Sequence, residues 1–247
     1  MLPYMQYKST PRKLEQQIQM FLSKLLLLAA AAVVLASGTA PASSKPNTMC
    51  PQNTGGEHDK IRIRVLDAHN TRRSQLAFGK VKRKDGTFYP KAGGLVKMVY
   101  NCTLEAMARE HVKKCVVSNT GEAPENGNEE NIAAVDFADA ASRVEAVTEA
   151  VKKWWKTAST EDFPQNMIFG PEHTNAPISS FTRMAWEYTE QLGCAVQKCN
   201  NSFFVMCQYR FGGNVEHIQM YLFGEPCSMC NDDEKCDPKE GLCMLPP

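Results

Sequence analysis

Ten cysteines constrain this chain more than any other feature: Cys50, Cys102, Cys115, Cys194, Cys199, Cys207, Cys227, Cys230, Cys236 and Cys243. All of them lie downstream of an unbroken apolar run, Leu25 to Leu35, which has Lys24 before it and Ala36-Ser37-Gly38-Thr39-Ala40-Pro41-Ala42 after it. A basic flank, a short apolar core and small residues at its end mark a secretory signal peptide, assigned to residues 1–42; cleavage after Gly38 or Ala42 fits a small-residue rule, and Ala42 is favoured. Met20-Phe21-Leu22-Ser23-Lys24 offers a more ordinary start for such a leader, so Met20 is a candidate first residue. The run is too short to span a bilayer, which needs about 20 apolar residues. An even number of cysteines behind a leader reads as a framework of about five disulfides in a secreted, extracellular protein. A zinc knuckle through Cys227-Ser228-Met229-Cys230 lacks its second CxxC, and no cofactor is expected. Two sequons, Asn101-Cys102-Thr103 and Asn200-Asn201-Ser202, are candidate glycosylation sites.

Removing 42 of the 247 residues leaves 205, enough for one domain with a real core. The full chain has a net charge of +1; the leader holds four cations and one acid, so the remainder carries −2. That balance argues against nucleic acid as a partner. The charge is uneven. Residues 60–97 carry eleven Lys/Arg against Asp67 and Asp85, and residues 121–149 carry eight acids against Arg143. The densest piece, Lys80-Val81-Lys82-Arg83-Lys84, makes Lys80, Lys82, Arg83 and Lys84 a candidate site for sulfated glycans.

Residues 43–57 read as an arm tethered by Cys50, with Thr54 and Glu57 as a capping box that opens a helix. Ile61, Val65, Ala68 or His69, and Leu76 then recur at helical spacing, with Gly79 as a stop. Residues 80–94 and 119–128 are polar loops. A second helix carries Leu104, Met107, Ala108, His111, Val112 and Cys115 on one stripe. A third starts near Asp139 and turns Val144, Val147, Val151 and Trp154 inward. A short fourth starts at Ser179 or Ser180 and stops at Gly193. The period then changes to two: strands are expected at 194–199, 203–210 and 218–223, with Asn200-Asn201 as a turn. Helices first and strands late suggest an α+β layer structure. Residues 225–247 hold four cysteines and too few apolar side chains to fold without bridges.

One cluster is specific enough to suggest a family. Phe181-Thr182-Arg183-Met184-Ala185-Trp186, Gly193-Cys194-Ala195-Val196, Val205-Met206-Cys207-Gln208-Tyr209 and Gly213-Asn214 resemble the signature motifs of the CAP (SCP/TAPS) superfamily. Ala68-His69-Asn70 with Arg73, Glu130-Asn131-Ile132 and Trp154-Trp155 extend the match. His69-Asn70-Thr71-Arg72-Arg73-Ser74 and Pro226-Cys227-Ser228-Met229-Cys230 look most like its nematode activation-associated secreted or venom allergen-like branch. The resemblance implies a three-layer αβα sandwich over residues 58–224, followed by a short cysteine-rich extension at 225–247.

Members of that superfamily usually place two His and two Glu in a central cleft, where several bind a divalent cation. The corresponding positions here are Asn119, Glu130, Thr157 and Ser180, so three of the four are changed and neither metal binding nor a catalytic residue carries over. Zinc wants about three or four imidazole, thiolate or carboxylate ligands, and a nucleophile needs a base beside it. His58, His111, His173 and His217 never occur at ligand spacing; His69 reads as a packed residue of the first helix, and Trp154, Trp155 and Trp186 as core. The expectation is a secreted, non-enzymatic, immunomodulatory effector that meets a host extracellular or cell-surface protein or glycan. The alternative is a carrier of sterol or fatty acid, which the polar loops at 80–94 and 119–128 disfavour.

Overall fold

Cys194-Ala195-Val196 and Val205-Met206-Cys207 are apolar at every position, so both faces of any sheet they form need cover. A computed structural model of the protein describes residues 47–116 and 129–246. In it β3 (Gln191–Cys199) and β4 (Ser202–Arg210) form an antiparallel hairpin in which Cys194 faces Cys207. Strand β2 (Glu129–Asp136) pairs antiparallel with β4, and the two-residue β1 (Val99–Tyr100) lies parallel to β3, giving the order β1-β3-β4-β2.

The pleat divides these residues between two cores. Ala133, Val135, Cys194, Val196, Val205, Cys207 and Tyr209 join Ile61, Val65, Val147, Val151 and Trp154 on one face. Ala195, Cys199, Phe204 and Met206 meet Ala108 and Val112 on the other. Helix α2 (Cys102–Val112) therefore covers one face, and α1 (Asp59–Ala77), α3 (Arg143–Lys156) and α4 (Ser179–Ala185) cover the other. This is the expected three-layer α+β sandwich. A further core beyond the sheet holds Leu76, Tyr89, Phe163, Phe169, Phe181, Trp186, Met220, Tyr221 and Leu242.

Several local expectations are corrected. The first helix opens at His58 rather than on a Thr54–Glu57 box, because Glu57 turns inward and accepts the Val196 N–H at 2.9 Å. Asp59 sits in its first turn instead, where the helix dipole favours an acid. The second helix ends at Val112; Cys115 lies beyond it, exposed, with φ 52°. The third begins at Arg143, where Ser142 Oγ caps the Glu145 N–H and Glu145 accepts the Ala141 N–H, a reciprocal cap with no place for Asp139. The fourth ends at Ala185, and Gly193 lies inside β3. A Cβ at Gly193 would strike the backbone of Asn101, Leu104 and Glu105, so this glycine lets α2 lie close on the strand. Residues 218–223 form no strand and pair only at the isolated bridges Ile168–Gln219 and Ala92–Phe223.

All ten cysteines are paired: Cys50–Cys102, Cys115–Cys199, Cys194–Cys207, Cys227–Cys236 and Cys230–Cys243. The last two close within the extension, whose hairpin β5 (Lys235–Asp237) and β6 (Leu242–Met244) docks by backbone pairing. The Cys243 N–H donates to Leu95 O and the Lys97 N–H to Cys243 O, at 2.9 and 2.8 Å. Lys97 Nζ reaches Glu240 and Asp237 at 2.9 and 3.3 Å, and Leu242 and Cys243 are buried. Among the described residues no helix is long and apolar enough to cross a membrane.

Candidate functional site

The end of α3, the start of α4 and the edge strand β2 enclose a cleft of 280 Å³ lined by Glu130, Asn131, Lys153, Thr157, Ser180 and Arg183 among others. Thr157 follows α3 directly and Ser180 is the second residue of α4, which brings their hydroxyl oxygens to 3.5 Å. Both hydroxyls have backbone acceptors: Thr157 Oγ1 donates to Trp154 O at 2.8 Å and Ser180 Oγ to Pro177 O at 2.9 Å. The Glu130 carboxylate lies 3.4 Å from His111 Nδ1 of α2, toward the opposite layer. Asn119 lies outside the described residues.

A buried polar chain runs from the cleft into the core. Asn131 Nδ2 donates to Ser180 O at 2.9 Å and to the Tyr209 hydroxyl at 3.3 Å. Its Oδ1 accepts from Arg183, whose Nε donates to Glu129 at 2.8 Å. The Tyr209 hydroxyl sits 2.9 Å from His69 Nε2, and His69 Nδ1 sits 2.7 Å from Val65 O. Burial pushes the His69 imidazole down to about 3, so it is neutral: Nδ1 donates to the carbonyl and Nε2 accepts from the phenol. Burial likewise pushes the Tyr209 phenol up. The chain fixes α1, β2, β4 and α4 about one point; it offers no exposed base.

Among the described residues the cleft donors do not suit a divalent cation. Glu130 and His111 are two ligands drawn toward α2, and the hydroxyls of Thr157 and Ser180 are weak neutral oxygens. Cys230, Glu234 and Cys243 also cluster, but both sulfurs are tied up in the Cys230–Cys243 bridge and offer no thiolate. His173 is buried between Phe163 and Phe169 and accepts the Gly170 N–H at 2.8 Å.

The basic loop is not the four-cation patch its sequence suggests. Arg83 turns inward, stacks 4.7 Å from the Tyr89 ring and donates to Phe163 O. Lys84 pairs with Asp162 at 2.5 Å and Lys80 lies over Phe78, leaving Lys82 exposed between them. Arg62 and Arg73, also counted in the basic stretch, are fully buried. Of the sequons, Asn101 caps α2 and Asn200 stands exposed at the hairpin turn.

Sequence periodicity alone does not mark the strap of residues 211–218 after β4. Phe211, Val215 and Ile218 are 56, 53 and 50 % exposed. Asn214 Nδ2 donates to Ser179 O at 3.0 Å, its Oδ1 accepts from Thr182 at 2.5 Å, and Gly213 lies on the Trp186 ring, where a Cβ would collide. The Gly212-Gly213-Asn214 run was the available signal, since such residues tolerate left-handed backbone.

Residues 66–209 match the model of CAP, the cysteine-rich secretory protein family. This chain belongs to that family. The CAP chain is 35% identical over 209 residues to the Ancylostoma secreted protein of Ancylostoma caninum, covering 83% of itself but 49% of that relative, so it spans about half the relative's length. Hookworm platelet inhibitor 1 of the same worm is 33% identical over 143 residues, 58% of this chain and 64% of the inhibitor. The crystal structure of NaASP2 with zinc superposes with a TM-score of 0.71 at 32% identity, over 78% of this chain and 99% of that one. Zinc belongs to that structure; the cleft side chains described above are this chain's own. The nematode branch of the resemblance thus stands.

Proposed function

We propose that this CAP chain is a secreted, non-enzymatic effector that binds an extracellular or cell-surface protein of a host. The observation that carries the reading is the strap. Phe211, Asn214 and His217 hold φ of 54°, 53° and 65°, a conformation that costs a non-glycine residue about 1–3 kcal/mol. The anchors on Ser179, Thr182 and Trp186 sustain it, and the result is a firmly held segment with an aromatic and two branched side chains in solvent. Aromatic residues on a rigid frame are the usual anchors of protein interfaces. Kinship supports the reading, since a relative is named for inhibiting platelets. The non-enzymatic part rests on the cleft, where the Thr157 and Ser180 hydroxyls face carbonyl oxygens and each other. Binding of the labelled, oxidised protein to host blood cells tests it. Wild type should saturate, and Phe211→Ser with Val215→Ser and Ile218→Ser should weaken binding at least tenfold (about 1.4 kcal/mol) without lowering the thermal midpoint. Equal binding by both proteins would remove the strap from the reading.

A second reading, carriage of an apolar small molecule, has one observation behind it. Met49, Leu66, Met98, Val99, Tyr100 and Leu245 help to line a groove of 680 Å³ between α1, β1 and the extension, within the roughly 300–1,000 Å³ of small-molecule sites. Lys97 at its rim is already held by Asp237 and Glu240, so the groove suits a neutral sterol better than a fatty-acid carboxylate. Native mass spectrometry with cholesterol and palmitate separates the two.

A further inference from the structure

The two sequons stand in opposite circumstances. Asn101 is the N-cap of α2: its Oδ1 accepts the Thr103 and Leu104 N–H groups at 2.8 and 3.2 Å, and its Nδ2 donates to Gln191 Oε1 at 2.6 Å. Its middle residue, Cys102, is bridged to Cys50, and Thr103 is already helical. Both ends of that side-chain amide are engaged, and the tripeptide is held between a disulfide and a helix. Asn200 lies at the tip of the β3–β4 hairpin, exposed beside the exposed Asn201, with φ 40°. Its disulfide neighbour, Cys199, precedes the tripeptide instead of interrupting it.

We infer that the secreted protein carries an N-linked oligosaccharide on Asn200 and none on Asn101. The inference rests on the secretory reading, because donor and transferase belong to the secretory lumen. In the reaction Asn200 Nδ2 bonds to the anomeric carbon of a polyprenyl-diphosphate-linked oligosaccharide. The carbon–oxygen bond to the diphosphate breaks, the amide gives up one proton, and the lipid diphosphate leaves. At Asn200 the first sugar enters solvent and no contact of the fold is displaced. At Asn101 it would replace one of the two Nδ2 protons and have to emerge between the first turn of α2 and Gln191, whose Oε1 already lies 2.6 Å from that nitrogen.

The placement has a consequence for the partner face. The sugar sits at the turn end of the hairpin, whereas the strap follows the far end of β4, with the nine residues of that strand between them. At about 3.3 Å per residue the two are roughly 30 Å apart. The glycan screens the turn end and leaves the start of the strap, at Phe211, clear of it.

The test is to produce the full chain in eukaryotic secretory cells and release N-glycans enzymatically in heavy-oxygen water, which marks each former glycan site as a labelled aspartate. The expected result is a label at Asn200 alone, with one glycan's mass lost in Ser202→Ala and retained in Asn101→Gln. Ser202→Ala removes the acceptor motif without altering the left-handed residue, so loss of the sugar is not confounded by loss of the turn. Label at Asn101, or protein in the medium with no glycan, overturns the inference while leaving secretion intact. An unglycosylated chain retained in the cytosol overturns the secretory reading and the inference with it.

Discussion

Arg62 Nε lies 2.6 Å from Glu105 Oε2, with neither side chain exposed to solvent. Arg62 belongs to α1 and Glu105 to α2, the helices that cover opposite faces of the sheet, so the pair clasps the two outer layers around the edge strand β1. Tyr100 of that strand donates to the same carboxylate at 2.8 Å and Asn53 Nδ2 to its other oxygen at 3.0 Å, while Asp59 takes a further guanidinium proton. A buried pair with this many partners is costly to half-remove: stranding one charge costs about 3–5 kcal/mol. Glu105→Ala should lose that much in urea unfolding under non-reducing conditions. Arg62→Met combined with Glu105→Leu should cost clearly less than the two single losses together, because neither member of that pair is left facing the other's absence; Asp59 loses its Arg62 hydrogen bond but keeps those from Thr48 and Met49.

Two acids at the start of α1 should oppose each other in pH dependence. Burial raises the Glu57 carboxyl above its usual 4.5, against the Val196 N–H and Arg143, which lies 3.7 Å away. The folded state therefore binds this proton more tightly than the unfolded chain, so the contribution is fully present below pH 4.5 and lost as pH rises through the folded value. For Asp59, burial also pushes upward, but hydrogen bonds from Thr48, Met49 and Arg62 outweigh it and hold the carboxyl well below 3.8. Its contribution is present above pH 3.8 and lost as pH falls. Thermal scans should show Glu57→Gln gaining on wild type more at pH 8 than at pH 4, and Asp59→Asn losing most at neutral pH. A Glu57→Gln difference independent of pH would contradict the assignment.

What could be read in the chain depended on how local the cause was. The β3–β4 hairpin was legible because short apolar runs and the Asn200-Asn201 turn between them are properties of neighbours. Strand β2 was not, because it opens on Glu129-Glu130-Asn131 and its Ala133 and Ala134 carry a weak pattern. Residues 218–223 are apolar and aromatic enough to suggest a strand, but no continuous partner runs beside them. The cleft positions Thr157 and Ser180 came from family motifs, and the structure brings them together. The fate of the basic stretch was hidden for a different reason. Arg73 donates to the carbonyls of Val96, Met184, Trp186 and Glu187, three of them more than 100 residues away in sequence. A count of charges cannot show that a guanidinium is a staple for distant backbone.

The same point sets the expectation for heparin. Arg83 is held by the Phe163 carbonyl and the Tyr89 ring, and Lys84 faces Asp162, so the loop presents fewer free cations than the four its sequence counts. Lys82→Ala should elute from a heparin column with wild type. Arg83→Ala should lower stability by about 1–3 kcal/mol, the usual cost of an unpaired buried carbonyl, rather than change retention of the folded fraction. A large drop in retention with unchanged stability would restore the glycan reading.

The cleft gives the sharpest gain-of-function experiment. Wild type offers a divalent cation the Glu130 carboxylate, already drawn to His111, and two hydroxyls with backbone acceptors, so titration with zinc should show nothing tighter than about millimolar, near −4 kcal/mol. The hydroxyl oxygens of Thr157 and Ser180 are 3.5 Å apart, so side chains replacing them just after α3 and on α4 can converge on one ion. Asn119→His, Thr157→Glu and Ser180→His together would supply two imidazoles and a carboxylate beside Glu130, the four charged or nitrogen donors that zinc prefers. Calorimetry should then register micromolar binding, about four kcal/mol stronger, lost again with Glu130→Ala. Micromolar binding by wild type would show that the present donors suffice. No gain in the triple variant, with its fold intact by circular dichroism, would show that these positions do not share a site.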